Sequence, residues 1–368
     1  MEDELNSLFR VLITHYFQDK QSLSYHLLSP ELQRLAMAYF SNNQNYPRHD
    51  DFFAKFTPAW QDLLMKQRHS EAEELWLLAV QIASEWEKRN QPIFIHKGTP
   101  YYWLGVTQIL ADKLDDGFLS MHKALKEDER THNTQAPNTP AYYFVTLNYQ
   151  PPNQWFGPKV KQLADYLDNK IREYRNSRGG TLTLDDFRTK FLACTDLREE
   201  VFTFVYLLFK LEKISRTDRS LWKNELGSLL NLGLLFNLCM VIEQTIDNKK
   251  TCPNELRLYS DKIRHLIDRT SLSLTTSGEN KHGIINNEVK FCSDEFGSSF
   301  STTMTSILQN NHSILRTKLP IESDLVISLG IRNHSAHKLQ DQPVVYQHWE
   351  DLAQRVLNVL FFTVEKTY

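Results

Sequence analysis

The feature that most constrains the fold is a leucine-rich segment, residues 221–246, in which apolar side chains follow one another almost continuously. Leucine favours helix, and elsewhere in the chain leucine-rich segments outnumber runs of β-branched residues. A helix that is apolar on nearly every side needs other helices to cover it. The sequence therefore predicts an all-α protein with a helical bundle in its C-terminal half.

The same segment also indicates whether the chain crosses a membrane. Its most apolar part, residues 229–242, is interrupted by Asn231, Gly233 and Asn237. That part is shorter than the roughly 20 apolar residues that a helix needs to cross a bilayer. The N-terminus opens with acidic residues and lacks the basic region of a secretory leader. We therefore expect a soluble cytoplasmic protein with no membrane contact.

Charge and cysteine content narrow the function classes. The formal net charge is -3, so the protein is not expected to coat nucleic acid through charge alone, and any RNA contact has to be local. The four cysteines stand far apart without a CxxC pair, which supports neither a zinc knuckle nor a disulfide scaffold. Walker, GxGxxG and HExxH motifs are absent from the sequence. We expect no cofactor and no metal.

The N-terminal region, residues 1–130, is predicted to consist of helical hairpins. In residues 70–87 the apolar side chains trace one helical stripe, and a Gly-Thr-Pro start signal at residues 98–100 begins a second helical pair. This pair resembles a tetratricopeptide repeat, because its signature positions carry apolar or small residues: Tyr101, Leu104, Gly105, Gly117 and Ala124. The alternative is a hairpin whose small residues only let two helices pack closely.

The remainder of the chain is predicted to be a connection followed by a bundle. Residues 131–184 form the connection, since five prolines in its first part prevent a continuous helix and a linker helix follows at 159–174. The bundle spans residues 185–368, with a polar insertion at about 270–293 that is too poor in apolar side chains to form a core. After the insertion we expect helices at 298–310, 322–337 and 347–365.

One segment of the predicted bundle carries residues suited to catalysis. Residues 332–337, with the sequence RNHSAH, hold an arginine and a histidine separated by four positions, and Asn333 directly follows the arginine. The segment resembles the signature of the HEPN superfamily, which is arginine, usually a polar residue, and then histidine after four to six intervening positions. The resemblance extends to the order of helices, because the segment closes a helix behind several leucine-rich segments and precedes a last amphipathic one.

The spacing recurs elsewhere in the chain. Arg10 and His15 are separated by four residues, and Arg89 and His96 by six. The first pair has no helical bundle ahead of it, and Pro92 breaks the helix between the second pair. Position within the predicted bundle, more than spacing, therefore favours residues 332–337.

The resemblance implies a metal-independent endoribonuclease that cleaves single-stranded RNA. A histidine that titrates near neutrality can take the proton of the attacking 2′-hydroxyl and protonate the leaving 5′-oxygen. A guanidinium, which is always charged, can stabilise the phosphorane between them. We assign proton transfer to His337 and phosphate binding to Arg332, with Asn333 orienting the phosphate or the histidine. His334 is expected to be an exposed residue at the helix end.

Helix geometry places a condition on this assignment. Arg332 and His337 are about 140° apart on a regular helix, so one cleft can collect both only if the helix ends or bends nearby. In HEPN nucleases two protomers bring their motifs together, so the resemblance implies a homodimer with two arginines and two histidines in one site. Leu339 stands where HEPN toxins paired with nucleotidyltransferases have tyrosine, so control through modification of that residue is not implied.

Three function classes remain open. The leading one is a ribonuclease acting as a stress or anti-phage effector, with a protein or nucleotide regulator at the N-terminal region. The second is a non-catalytic HEPN-like or helical-repeat adaptor in which Arg332 and His337 are structural or bind an anion. The third, a metal-dependent hydrolase, has little support because His132, His282 and the His-Asp-Asp sequence at 49–51 lack metal-ligand spacing.

Overall fold

The structure is a computed structural model in which every assigned element of the described residues is a helix and none is a strand. The predicted all-α class is confirmed. The chain divides into two compact units, Met1–Phe144 with Gln150–Phe156, and Val145–Tyr149 with Gly157–Tyr368. The structure describes residues 3–4, 6–7, 25–43, 48–132, 138–149, 156–217, 223–248, 258–272, 274, 299–337 and 342–368, without the side chains of residues 25–29, 299 and 337.

The first unit is built from helices of one to six turns. They are α1 (Tyr25–Asn42), α2 (Arg48–Ala54), α3 (Thr57–Met65), α4 (His69–Arg89), α5 (Gly98–Leu110) and α6 (Leu114–His132). A short helix, α7 (Pro140–Val145), lies where the two units divide along the chain.

An aromatic cluster forms the core of the first unit. Phe40 of α1 contacts Phe52 of α2 with ring centroids 4.7 Å apart, and Trp60 packs near Trp76 of α4. The indole nitrogen of Trp60 donates a hydrogen bond to Thr107 of α5 at 2.8 Å, which satisfies its polar group inside the core. Large rings contribute most of the apolar area that these short helices bury.

The α5–α6 pair packs closely through two small residues. A Cβ atom on Gly105 would lie 2.9 Å from the carbonyl oxygen of Gly117, and one on Gly117 would lie 2.5 Å from Ile109. Only glycine fits at these positions, because any side chain would force the helices apart. Close packing is required by both alternatives for this region, a tetratricopeptide repeat and a simple hairpin, so the resemblance to the repeat stays a prediction.

The second unit is a helical bundle in which seven described helices have ten or more residues and two, α9 and α15, are short. They are α8 (Gly157–Arg178), α9 (Leu184–Phe187), α10 (Arg198–Arg216), α11 (Glu225–Asp247), α12 (Tyr259–Asp268), α13 (Ser299–Leu308), α14 (Pro320–His337), α15 (Pro343–Gln347) and α16 (Trp349–Thr367). Helices α11, α14 and α16 pack against one another, with α10 and α12 against α11 and with α8 against α16.

Helix α8 belongs to the second unit, although the sequence assigned it to the connection at 131–184. Its apolar face, which includes Leu163, Leu167 and Ile171, is buried, and Tyr174 contacts Phe361 of α16. The sequence-predicted start of the bundle at residue 185 falls after this helix. The predicted polar insertion at about 270–293 lies outside the described residues except for residues 270–272 and 274.

Helix α11 is longer than the apolar stretch at 229–242 from which the sequence excluded a membrane span. Its 23 residues and a mean hydropathy of 1.7 are sufficient for a helix that crosses a bilayer. However, 56% of its apolar window is buried inside the protein, and buried core helices of soluble proteins meet the same criteria. The length argument drawn from residues 229–242 therefore does not apply to α11 as a whole, and the absence of membrane contact stays a prediction.

Candidate active site

The segment RNHSAH lies where a buried helix reaches the protein surface. In α14 every residue from 321 to 331 is buried, whereas Arg332 and Asn333 are half-buried and Ala336 is exposed. The described part of this helix runs to His337. The condition that the helix ends or bends near the motif, so that side chains from different faces meet in one cleft, stays a prediction.

Arg332 is anchored to a carboxylate on a neighbouring helix. Its Nε donates to Oε2 of Glu243 in α11 at 3.2 Å. Glu243 is 4% exposed, so its charge needs a partner, while the Arg332 side chain stays 24% exposed. Among the described residues, Glu243 is the only side chain that the Arg332 guanidinium contacts by a hydrogen bond or ion pair. Within the same residues, the two terminal amino groups of the guanidinium have no partner.

Glu243 is held in turn by a buried lysine. Lys262 of α12 donates to Oε1 of Glu243 at 2.9 Å and to Oδ2 of Asp247 at 2.6 Å. Burial opposes the charge of Lys262, but these two hydrogen bonds outweigh it and raise the pKa of the ammonium group. Because Lys262 stays charged, the Glu243 carboxylate is fixed in place and directs the Nε edge of Arg332.

One turn below Arg332, α14 is joined to α11 and α12 by neutral polar groups. The hydroxyls of Ser328 and Tyr259 lie 2.6 Å apart, and Sγ of Cys239 lies 3.5 Å from Ser328 Oγ. Desolvation raises the pKa of Cys239 to about 12, so this thiol is neutral and unreactive. These contacts fix the register of α14 within the bundle and hence the position of its end.

His334 is buried, and the prediction that it is exposed at the helix end was wrong. Its ring is 0% exposed and stacks on Phe300 of α13, with centroids 4.1 Å apart and planes inclined by 21°. The physical reason is helical spacing: His334 lies seven residues after Ile327 and three after Ile331, on the face that the bundle covers. The sequence carried this signal, because both isoleucines precede it at core spacing.

Asn333 and His337 lie on a different face of α14 from Arg332. They are four residues apart, which makes them neighbours on a helix, and Asn333 is half-buried. The side chain of His337 lies outside the described residues. The structure therefore brings the backbones of all three predicted residues to one helix end, and it describes the side-chain contacts of Arg332 alone.

The other two arginine–histidine pairs differ from this arrangement. Arg89 is exposed in the last turn of α4, while His96 is 2% exposed in the core of the first unit. The His96 ring contacts Asp128 at 3.4 Å and Thr131 at 2.8 Å, so it is part of the packing between α6 and the chain ahead of α5. Arg10 and His15 lie outside the described residues.

An exposed apolar face on α11 was not anticipated from the sequence. Leu226 and Leu230 are 65% and 55% exposed, and Gly233 and Asn237 continue the same face at helical spacing. Nothing lies within 4 Å of a Cβ atom placed on Gly233. We call these four residues the α11 face. The sequence could not show it, because α11 is apolar on nearly all sides and its pattern does not indicate which side stays uncovered.

The chemistry of the site depends on whether its residues can hold a metal ion and on whether the chain is similar to known proteins. Within the described ranges, no three histidine, cysteine, aspartate or glutamate side chains are grouped closely enough to hold a metal ion. No protein-family model matches the chain, and no curated sequence and no solved structure is significantly similar to it. The function has to be argued from the residues of the site themselves.

Proposed function

We propose that this chain is a metal-independent endoribonuclease that cleaves single-stranded RNA at a site formed by Arg332, Asn333 and His337. The observation that carries the proposal is the position of Arg332. Its guanidinium lies at the end of an otherwise buried helix, is held through Nε by Glu243, and precedes a histidine at the terminus of the same helix.

The anchoring of Arg332 suits a phosphate ligand. A guanidinium binds two oxygens of a phosphate through a pair of parallel N–H groups. Because Glu243 engages Nε alone, the edge formed by the terminal amino groups is available to the phosphorane. A pre-oriented charge costs no reorganisation when the negative charge of the transition state develops.

His337 supplies the proton transfer in this scheme. Its imidazole takes the proton of the 2′-hydroxyl, the 2′-oxygen attacks phosphorus, and the bond to the 5′-oxygen breaks. The leaving 5′-oxygen needs a proton at the opposite side of the phosphorus, which one histidine cannot deliver in the same step. A second copy of the chain supplies the second histidine, and the products are a 2′,3′-cyclic phosphate and a 5′-hydroxyl.

A homodimer is therefore part of the proposal. The α11 face offers an apolar surface for it, since Leu226 and Leu230 are both more than half exposed. The role as a cytoplasmic stress or anti-phage effector, and a protein or nucleotide regulator of the first unit, remain predictions from the resemblance.

The test is cleavage of labelled single-stranded RNA by the full-length chain in excess EDTA. Arg332→Ala and His337→Ala should each abolish the 2′,3′-cyclic phosphate product. Arg89→Ala is the matched control, because Arg89 is also an arginine near a helix end with a histidine downstream, and its loss should leave cleavage unchanged. Cleavage that survives both site substitutions would contradict the proposal.

The second candidate is a non-catalytic adaptor, which the Arg332–Glu243–Lys262 contacts favour because they pair the charge of Arg332 within one chain, without a ligand. Arg332→Lys separates the two. Lysine preserves a charge beside Glu243 but cannot present two parallel donors to a phosphate. The ribonuclease proposal expects loss of cleavage with little change in stability, whereas an adaptor would show no RNA cleavage in any variant.

A further inference from the structure

A cavity lies beside the first turns of α11, away from the Arg332–Glu243 contact. Its volume is about 320 Å³, and its lining includes Asn231 from α11, Tyr346 and Trp349 from the segment around α15 and α16, and Lys223 at the rim. Cavities that bind small organic ligands begin at about 300 Å³, so this one has room for a single small ring system.

Asn231 is the polar group in this cavity that needs an explanation. Its side chain is 1% exposed, and its Oδ1 has no hydrogen-bond partner among the residues that the structure describes. A buried carbonyl oxygen without a donor is costly, and native proteins rarely retain one unless a ligand or an ordered water satisfies it. A ligand of the cavity should therefore present an N–H group to Asn231.

The other lining residues indicate what kind of ligand carries that N–H group. Tyr346 and Trp349 provide aromatic surface, on which flat rings stack. The charged groups at the cavity have both signs, because Lys223 is accompanied by Glu350 and Asp351. A simple anion or cation would meet like charge there, whereas a neutral heterocycle would not. An asparagine amide also pairs with the adjacent donor and acceptor on a base edge.

The cavity is linked to the proposed active site through the chain. The backbone of Gln342 exchanges two hydrogen bonds with the hydroxyl of Ser228, at 3.0 and 3.2 Å. Ser228 precedes Asn231 by one turn of α11, and Gln342 follows His337 by five residues, which span at most about 18 Å. The end of α14 and the cavity are thus within reach of one RNA strand.

We infer that this cavity binds one base of the substrate RNA, at a position on the strand near the cleaved phosphate. The inference rests on the proposed function for the source of the base and adds a binding subsite to it. Asn231 accepts a hydrogen bond from the base, Tyr346 and Trp349 stack on it, and Lys223 faces the phosphate backbone. A free nucleotide has the same chemistry, and the experiment separates the two sources.

The test measures binding by calorimetry with full-length His337→Ala protein, so that no RNA is cut. The probes are adenosine 5′-monophosphate, ribose 5-phosphate, and a tetra-adenylate whose 2′-hydroxyls are methylated. Asn231→Leu keeps the volume and removes the hydrogen bond, and Tyr346→Leu removes the ring. Gln244→Leu, an exposed position on α11 outside the cavity lining, is the control.

We expect the tetranucleotide to bind more tightly than the mononucleotide and ribose 5-phosphate not to bind. Asn231→Leu and Tyr346→Leu should each weaken binding of the tetranucleotide at least tenfold, while Gln244→Leu should not. Equal affinity of Asn231→Leu would overturn the inference and leave an ordered water as the partner of Asn231. Equal affinity for ribose 5-phosphate would also overturn it.

Three further outcomes separate the two ligand sources and the two proposals. A mononucleotide that binds as tightly as the tetranucleotide would overturn the assignment to the RNA strand and indicate a free nucleotide ligand. If the protein with an intact His337 cleaves RNA at the same rate and base preference after Asn231→Leu, the subsite is wrong and the ribonuclease stands. If probes bind through Asn231 but no RNA is ever cleaved, the ribonuclease is wrong and the base site stands.

Discussion

Asp324 and Glu243 are buried carboxylates of the second unit that pair with arginine, and they differ in how completely the arginine is used. Asp324 is 0% exposed and receives Nε and Nη2 of Arg178 at 2.5 and 3.0 Å, with Asn358 at 2.9 Å and Arg355 at 3.4 Å. Glu243 receives Lys262 and, from Arg332, Nε as the one donor seen within the described residues. The first cluster is closed, and the second leaves one edge of its guanidinium open.

This difference separates ion clusters that stabilise the bundle from those that can bind a ligand. A closed cluster satisfies its own charges, so substitution there should affect stability. An open cluster costs the fold less when it is lost, because fewer hydrogen bonds depend on it, but it retains donors that a ligand can use. Substitutions in the two clusters test this division between a structural and a functional arginine–carboxylate cluster.

The largest effect is expected from breaking the closed cluster. Asp324→Ala leaves the mostly buried Arg178 without its carboxylate and Arg355 with Asp351 alone, and we expect the second unit to lose about 3 to 5 kcal/mol of unfolding free energy. Chemical denaturation measures this. Asp165→Ala is the control, since its pair with Lys161 is exposed and contributes about 0.5 kcal/mol or less. A loss below about 1 kcal/mol at Asp324 would remove the distinction between the clusters.

Removing the arginine of the open cluster should lower the rate of catalysis more than the stability. Arg332→Ala is expected to lower the RNA cleavage rate about 10²- to 10³-fold, as for the loss of one donor to a transition-state oxyanion. The unfolding free energy should fall by only about 1 kcal/mol, because Glu243 keeps Lys262. Rates and denaturation curves on the same preparation test both parts. A stability loss as large as that of Asp324→Ala would make Arg332 a structural residue.

A smaller effect is expected when Arg332 loses its anchor. Glu243→Gln keeps the size of the side chain but removes the charge that orients the guanidinium, so kcat should fall about tenfold with KM little changed. Glu243→Asp should restore part of the rate, because it returns the charge. If Glu243 is purely structural, Glu243→Gln and Glu243→Asp should lower the unfolding free energy equally, and Glu243→Asp should recover no activity. The two variants would then have the same kcat/KM.

The smallest effect is expected at His334. Leucine at this position keeps apolar contact with Phe300, so His334→Leu should change stability by less than about 1.5 kcal/mol. Cleavage should stay within about twofold, because the buried ring of His334 is enclosed by the bundle. A loss of cleavage comparable to that of His337→Ala would show that the sequence assignment has the wrong histidine.

Local chemistry explains which parts of the fold the sequence predicts well. The Gly-Thr-Pro signal predicts a helix start at residue 98, and α5 begins at Gly98. The start predicted at 221 is too early for α11, which begins at Glu225 because Asn224 Oδ1 accepts a hydrogen bond from the backbone of Gly227. Both helix starts are set by residues next to them, so the local sequence is sufficient to predict them.

Contacts between residues far apart in the sequence limit how much of the site the sequence can predict. Arg332 and His337 could be selected from the sequence because their spacing and position resemble a known signature. Glu243 and Lys262 could not, since Glu243 is 89 residues from Arg332 along the chain and no local pattern links them. The partners of a guanidinium depend on which helices become neighbours, and that is decided by the packing of the whole bundle.

The buried run of α14 has a consequence for the timescale on which the site moves. Amide protons between residues 325 and 331 are covered on every side and should exchange with solvent only when the whole bundle opens. Arg332 directly follows this run, so the phosphate-binding charge is tied to a part of the unit that opens slowly. A substrate then meets a guanidinium whose backbone is fixed before binding.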